Sequence, residues 1–243
     1  MGPMGDADPR TDIQTLLDER SPADALAAYY ALHHEPRRTR LYVHTTPRGY
    51  TDGFLAVCQT GMDLFRPVAV LHAPGAEATR VLLREGLAPG RPYFLIGPRV
   101  LLQWAAAVAT LAETNVYRVY TLAAEDFMPV INVLVQREPA GAGGGGGSRW
   151  LIRGAGGEIA ALAGINWRSP HWAEVYVQVH PGARGRGLGR STVSACTAWL
   201  LEQRLRPLYL VAEDNAESIE LAEAVGYHDT GNRMFMAEAV IGH

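Results

Sequence analysis

The chain has 243 residues, 48% of them hydrophobic, with 22 Lys and Arg against 25 Asp and Glu for a formal net charge of −3. That is apolar material for one large domain or two small ones. The charge balance lacks the basic footprint of a nucleic-acid binder, so no nucleic-acid partner is expected. Cys58 and Cys196 lie too far apart in sequence for metal-ligand spacing and read as buried small hydrophobes, so no metal is expected. No apolar run reaches 18 residues, and 1–10 lacks the apolar core of a signal peptide. The expectation is a cytoplasmic protein with no membrane contact, as a monomer or homodimer.

In chain order, 1–10 reads as a flexible tail. Ile13–Glu19 and Pro22–His34 read as helices, the second opened by Ser21, Pro22 and Asp24. Strands follow at Arg40–Thr46, Gly53–Thr60 and Pro67–His72, then an amphipathic helix at Ala76–Glu85 closed by Gly86. Arg91–Ile96 reads as a strand and Val100–Ala112 as a helix. These elements make an N-terminal α/β domain over 11–112. Val116–Leu122 reads as the first strand of a second domain over 113–243. Residues 139–148 hold five consecutive glycines, Gly143–Gly147, which cannot pack and form a flexible tract. Placing the first strand at 116–122 makes that tract a long loop inside the second domain rather than a linker. Trp150–Arg153 and Glu158–Trp167 pair as a hairpin. A strand at 174–180, a helix to about Leu205, a strand at 208–212, a helix at 216–225 and a last hairpin within Tyr227–Val240 complete the chain.

The most informative stretch runs from Glu174 to Ser191. Val175, Val177 and Val179 alternate with Tyr176, Gln178 and His180, the period of a strand. Pro181 and Gly182 end it. Val193, Ala195, Cys196, Trp199 and Leu200 then recur at helical spacing. A glycine-rich turn therefore joins a strand to a helix start, where backbone N–H groups lack partners and the helix dipole adds positive charge. Gly185, Gly187 and Gly189 remove side chains from the path of an anion, and Arg184, Arg186 and Arg190 add charge. The combination describes a pyrophosphate-binding turn. A Walker loop is excluded because its lysine is missing. The dinucleotide fingerprint is disfavoured because the glycine spacing differs.

Arg184-x-x-Gly187-x-Gly189, preceded by Val179-His180-Pro181, resembles the acetyl-CoA signature of the GNAT N-acetyltransferase superfamily. Asn215-x-x-Ser218 with Gly226-Tyr227 resembles that superfamily's second motif, a helix with Gly226 as its C-cap. The resemblance covers about 150–240. It implies an α/β (α+β) fold: a mixed, mostly antiparallel sheet with a splayed central strand, flanked by helices and present in tandem. It also implies acetyl-CoA as cosubstrate and an amine as acceptor. The N-terminal half then reads as a degenerate copy without the arginine-glycine turn, or as an unrelated α/β cap.

Carried over residue by residue, the resemblance gives the cofactor to Val177, Gln178 and Val179 on the central strand. The turn Arg184, Gly185, Arg186, Gly187, Leu188, Gly189, Arg190 and Ser191 and the helix start at Asn215 would hold it too. Glu174 is the candidate general base, its alternative being an exposed strand-end carboxylate. Many family members carry a tyrosine acid where this chain has Ala222, which leaves Ser218 or water to protonate the leaving thiolate. Two functional readings stay open. One is an N-acetyltransferase acting on a primary amine of a small molecule or protein. The other is a non-catalytic acyl-CoA-binding or sensing protein.

Overall fold

The structure, a computed structural model, describes residues 8–61, 63, 65–139 and 147–242. Residues 1–7 of the expected tail and 140–146 of the glycine tract lie outside the described residues. In chain order the elements are α1 (Pro9–Gln14), α2 (Ala25–Ala28), β1 (Thr39–Thr45), β2 (Thr51–Cys58), β3 (Val68–His72), α3 (Ala76–Gly86), β4 (Pro92–Pro98), α4 (Leu102–Ala106) and β5 (Ala109–Thr121). They continue with β6 (Gln136–Glu138), β7 (Arg149–Arg153), β8 (Ile159–Arg168), β9 (Trp172–Val179), α5 (Leu188–Glu202), β10 (Arg206–Ala212), α6 (Ala216–Val225) and β11 (His228–Ile241). Among the described residues no helix is long and apolar enough to cross a membrane.

Four sequence expectations are corrected. The helix expected at Ile13–Glu19 starts at Pro9, where Asp8 caps it, and ends at Gln14. The helix expected from Pro22 starts only at Ala25, because Ser21 Oγ accepts from the Ala23 N–H and holds a turn there. It then closes in a π-helical turn over Tyr29–His33. The apolar run at Val100–Ala112 yields only the five-residue α4 before β5 begins at Ala109. Periodicity alone does not separate a short buried helix from a strand, and sheet pairing decides here. Residues 227–240 form no hairpin. Residues 228–240 lie in one continuous strand, β11, whose Gly231 takes φ +80 with its N–H on Asp229 Oδ1.

The chain divides into two compact units, Met1–Tyr117 with Arg233–His243, and Arg118–Asn232. In the first, β1–β2–β3–β4–β11 is the strand order, antiparallel except for β3–β4. Leu82 and Leu83 of α3 join Leu55, Leu71, Leu95 and Phe235 in its core. Each such side chain contributes about 1.5–3 kcal/mol by leaving water.

In the second unit the order is β5–β10–β9–β8–β7–β6, with β9–β10 parallel and β6 to β9 successively antiparallel. Val193, Cys196 and Leu200 of α5 share a core with Trp150, Ala163 and Val175. Both cysteines are free and buried. Burial pushes the Cys58 thiol up to about 11 and Cys196 higher still, so neither is a thiolate at neutral pH. β1–β2–β3–α3–β4 repeats the order β7–β8–β9–α5–β10: three antiparallel strands, a helix, then a strand parallel to the third. The sequence expectation of a tandem repeat has this topological basis.

The α6 helix shows how local signals set its ends. Asn215 Oδ1 accepts from Ser218 N at 3.0 Å at the start. Gly226 ends it at φ +106, with its own N–H on Glu223 O and that of Tyr227 on Ala222 O. A Cβ at 226 would run into the Asp126 carbonyl oxygen. Gly226→Ala combines left-handed strain with that collision, so it is expected to cost about 2 kcal/mol or more. The measurement is the urea midpoint of the variant, which falls with the slope unchanged.

Candidate functional site

The site starts where two strands part. β9 pairs with β8 from Ala173↔Arg168 through Val179↔Ala161. Its parallel ladder with β10 covers only Trp172–Val175 and ends at Val175↔Tyr209, although β9 runs to Val179 and β10 to Ala212. From Tyr176 onward the β10 side of β9 has no strand partner. This is the splayed central strand expected from the sequence.

The chain then turns. His180 Nδ1 accepts from Gly182 N at 3.2 Å, which holds the 3-10 turn Pro181–Ala183 and gives His180 a structural role. Gly185 and Gly187 take left-handed φ of +70 and +72, which a side chain would strain. A Cβ on either would meet nothing within 4 Å, so the space in front of them is open. Gly189 differs. A Cβ there would sit 2.8 Å from Val179 Cγ2 and 3.0 Å from Leu221 Cδ1, so glycine lets the start of α5 pack against β9 and α6.

Helix α5 begins without a side-chain cap at Gly187, whereas α1 and α6 have Asp8 and Asn215. Ser191 N donates to Gly187 O, which leaves the N–H groups of Leu188, Gly189 and Arg190 as the helix's first three, with no intrahelical acceptor.

A cleft of about 510 Å³ opens here. From β9 it takes Val177 and Val179, and from the turn Arg184, Gly185, Gly187, Leu188, Gly189 and Arg190. From α6 and its cap it takes Asn215, Glu217, Ser218, Glu220 and Leu221. Free amides, two arginines and absent side chains suit a phosphate anion, so the donor set fits the acetyl-CoA that the turn implies.

Four sequence candidates stand apart from the lining. Gln178 projects from β9 on the face opposite Val177 and Val179, which leaves only its backbone for the cleft. Arg186 is exposed beside it. Ser191 is buried, its Oγ donating to Gly187 O at 3.1 Å and accepting from Asn132 Nδ2 at 3.2 Å. That hydroxyl pins the 127–135 segment to α5. Glu174 is the fourth. Asn215 does line the cleft, with its Oδ1 committed to the helix cap.

Glu174 is buried, 9% exposed, so it is no solvated strand-end carboxylate. A bulge in β8 between Ile165 and Trp167 presents Asn166, whose Nδ2 donates to Glu174 Oε1 at 2.8 Å. Burial pushes the carboxyl up to about 7, and hydrogen bonds from Asn166 and Trp167 offset only part of that. Sequence reasoning missed Asn166, since no local signal marks the bulge.

The raised value makes folding favour the protonated acid. Its contribution to stability is complete below the ordinary value of about 4.5 and is lost as pH rises through about 7. Wild type is therefore expected to lose on the order of 3 kcal/mol more than Glu174→Gln between pH 4.5 and 8. Urea denaturation of both proteins across that range measures the difference.

Residues 106–227 match the family described as "Acetyltransferase (GNAT) family". A search of curated proteins returns no match. A GCN5-related N-acetyltransferase from Kribbella flavida is similar in structure at 16% identity and TM-score 0.60, covering 88% of this chain and 95% of its own. One from Sphaerobacter thermophilus reaches TM-score 0.63 at 11% identity, over 97% and 94%. A tandem GNAT protein from the clavulanic acid biosynthesis pathway reaches 0.58 at 15% identity, over 96% of each chain. At these identities the likenesses establish the fold. The family match, over half of the chain and across the splayed strand, the turn and α6, makes this protein a member of the GNAT acetyltransferase family and an acyltransferase.

Proposed function

We propose that the protein transfers the acetyl group of acetyl-CoA to a primary amine of a small molecule or a protein. The observation that carries this reading is the uncapped start of α5, flanked by Arg184 and Arg190 and opening onto the unpaired edge of β9. The amides of 188–190 and the two arginines bind the pyrophosphate. The free backbone groups of Val177, Gln178 and Val179 hold the pantetheine arm and polarise the thioester carbonyl. Bound acetyl-CoA supplies an activated acetyl group on a thiol that can leave.

Glu174 leaves β9 on the face opposite Val175 and Val177. It lies about 10 Å along the strand from Val177, at ~3.3 Å per residue. We assign it the part of the base, taking the amine proton through water as the C–N bond forms and the C–S bond breaks. A carboxyl held at about 7 suits a base working near neutral pH.

Calorimetry is expected to give one CoA per chain. The β3–α3 link of the first unit, Ala73-Pro74-Gly75, has neither the arginines nor the length of 180–187. Gly187→Trp abolishes binding in a folded protein. Unchanged affinity, or two equivalent sites, defeats the assignment. With an accepted amine, kcat/KM should rise with pH through about 7. Glu174→Gln removes that limb and lowers kcat by about 10²–10⁴-fold with acetyl-CoA affinity retained. Binding without turnover across a panel of amines supports a sensing role instead.

A further inference from the structure

Tyr209 stands opposite Val175 on the last rung of the β9–β10 ladder, where the strands begin to part. It is 3% exposed, and its ring packs on Tyr227 with centroids 5.7 Å apart. Its hydroxyl lies 3.0 Å from Ser218 Oγ, and Ser218 lines the cleft. Among the described residues Ser218 is the hydrogen-bond partner of that hydroxyl. Either oxygen can donate in this pair; a buried phenol left without an acceptor costs free energy, which favours the Tyr209 O–H as donor to Ser218 Oγ. A hydroxyl carries one proton and two lone pairs. With one lone pair occupied by Tyr209, Ser218 keeps its own O–H to turn into the cleft.

Both residues are fixed. Ser218 N is tied to Asn215 Oδ1 at 3.0 Å in the first turn of α6. The tyrosine ring sits in the core of the second unit. Burial pushes the Tyr209 phenol up to about 12, so it stays protonated at neutral pH and keeps a proton to donate. One turn further along α6, Ala222 is fully buried and offers no hydroxyl. The charged groups facing the same cleft are Arg184 from the turn, Arg190 from α5, and Glu217 and Glu220 from α6.

We propose that Ser218 donates a hydrogen bond to the sulfur of bound CoA and that Tyr209 is the positioning residue that orients it. The inference rests on the acetyl-CoA reading above. During transfer the pair stabilises the sulfur as it takes the electron pair of the C–S bond. The amine proton goes to Glu174, both hydroxyls keep their protons, and the thiolate is protonated from solvent. The chemistry differs from a tyrosine acid on α6, because neither hydroxyl ionises.

The test uses free CoA as the probe and needs no acceptor amine. The thiol of CoA bound to wild type, Tyr209→Phe, Ser218→Ala, Ser218→Thr and the double variant is titrated by its thiolate absorbance. A donor aimed at the sulfur favours the charged form, so the thiol should titrate about one pH unit lower on wild type than on Tyr209→Phe or Ser218→Ala. The double variant should go no further than Ser218→Ala, and Ser218→Thr should keep the wild-type value. Tyr209→Phe preserves the ring and its packing, which separates the hydroxyl from the fold. If CoA binds and its thiol titrates alike on every protein, the inference falls and the acetyl-CoA reading stands. A change in Tyr209→Phe with none in Ser218→Ala also overturns it. If wild type binds no CoA, both fall.

Discussion

Two parallel strands that pair for four residues and then diverge create the space on which the second unit's chemistry depends. Backbone groups left without a ladder partner are costly when buried, so such a gap persists only if surrounding packing holds it open and a ligand or water satisfies it. Here the holding element is the start of α5, brought against Val179 and Leu221 through Gly189. The first unit has the same order of elements and a three-residue ladder between β3 and β4. Its gap is closed. A Cβ on Gly97 of β4 would lie 3.3 Å from Leu71 O and 3.0 Å from the Phe235 ring. A shared topology thus gives strands that part in one case and strands that stay close just past their ladder in the other.

The electrostatics of the cleft are local rather than global. The chain carries a net charge of −3, yet the turn gathers three arginines within seven residues at the positive end of a 15-residue helix. Glu217 and Glu220 face it from α6, so the favourable region for an anion is confined to the turn. Glu174 has the opposite environment, buried from water with the Asn166 amide hydrogen-bonded to one of its oxygens. One strand therefore leads to a candidate anion site at its end and carries an acid raised to about 7 further back.

The parts of the site legible in the sequence were those whose rules are local. Val175–Val179 alternate because a strand has period two, Gly187 is needed because its φ is positive, and Asn215 and Gly226 mark the ends of one helix. The resemblance to an acetyl-CoA-binding turn rests on residues within a dozen positions of each other. What the sequence did not reveal depends on contacts across the sheet. The bulge that aims Asn166 at Glu174 exists only in the β8–β9 register. Tyr209 meets Ser218 only once β10 and α6 have packed. The apolar run at 100–112 looked helical because amphipathic spacing cannot show that a neighbouring strand is waiting for residues 109 onward. Side-chain roles depend on the same long-range packing. Ser191 belongs to the signature by position, yet its hydroxyl is consumed in bracing Asn132.

The first unit is assembled from two segments of chain, its final strand supplied by Arg233–His243. Those residues pair with β4 from Met234↔Pro98 to Val240↔Pro92, and Glu238 meets Arg66 at 2.7 Å. The consequence is one of timing. During synthesis every residue of the second unit is added to the chain before the last strand of the first exists. For that interval β4 waits with one side lacking its β11 partner, the condition in which strand edges recruit wrong neighbours. The first unit therefore cannot close until residues 233–241, separated from β4 in the chain by the whole second unit, have been made.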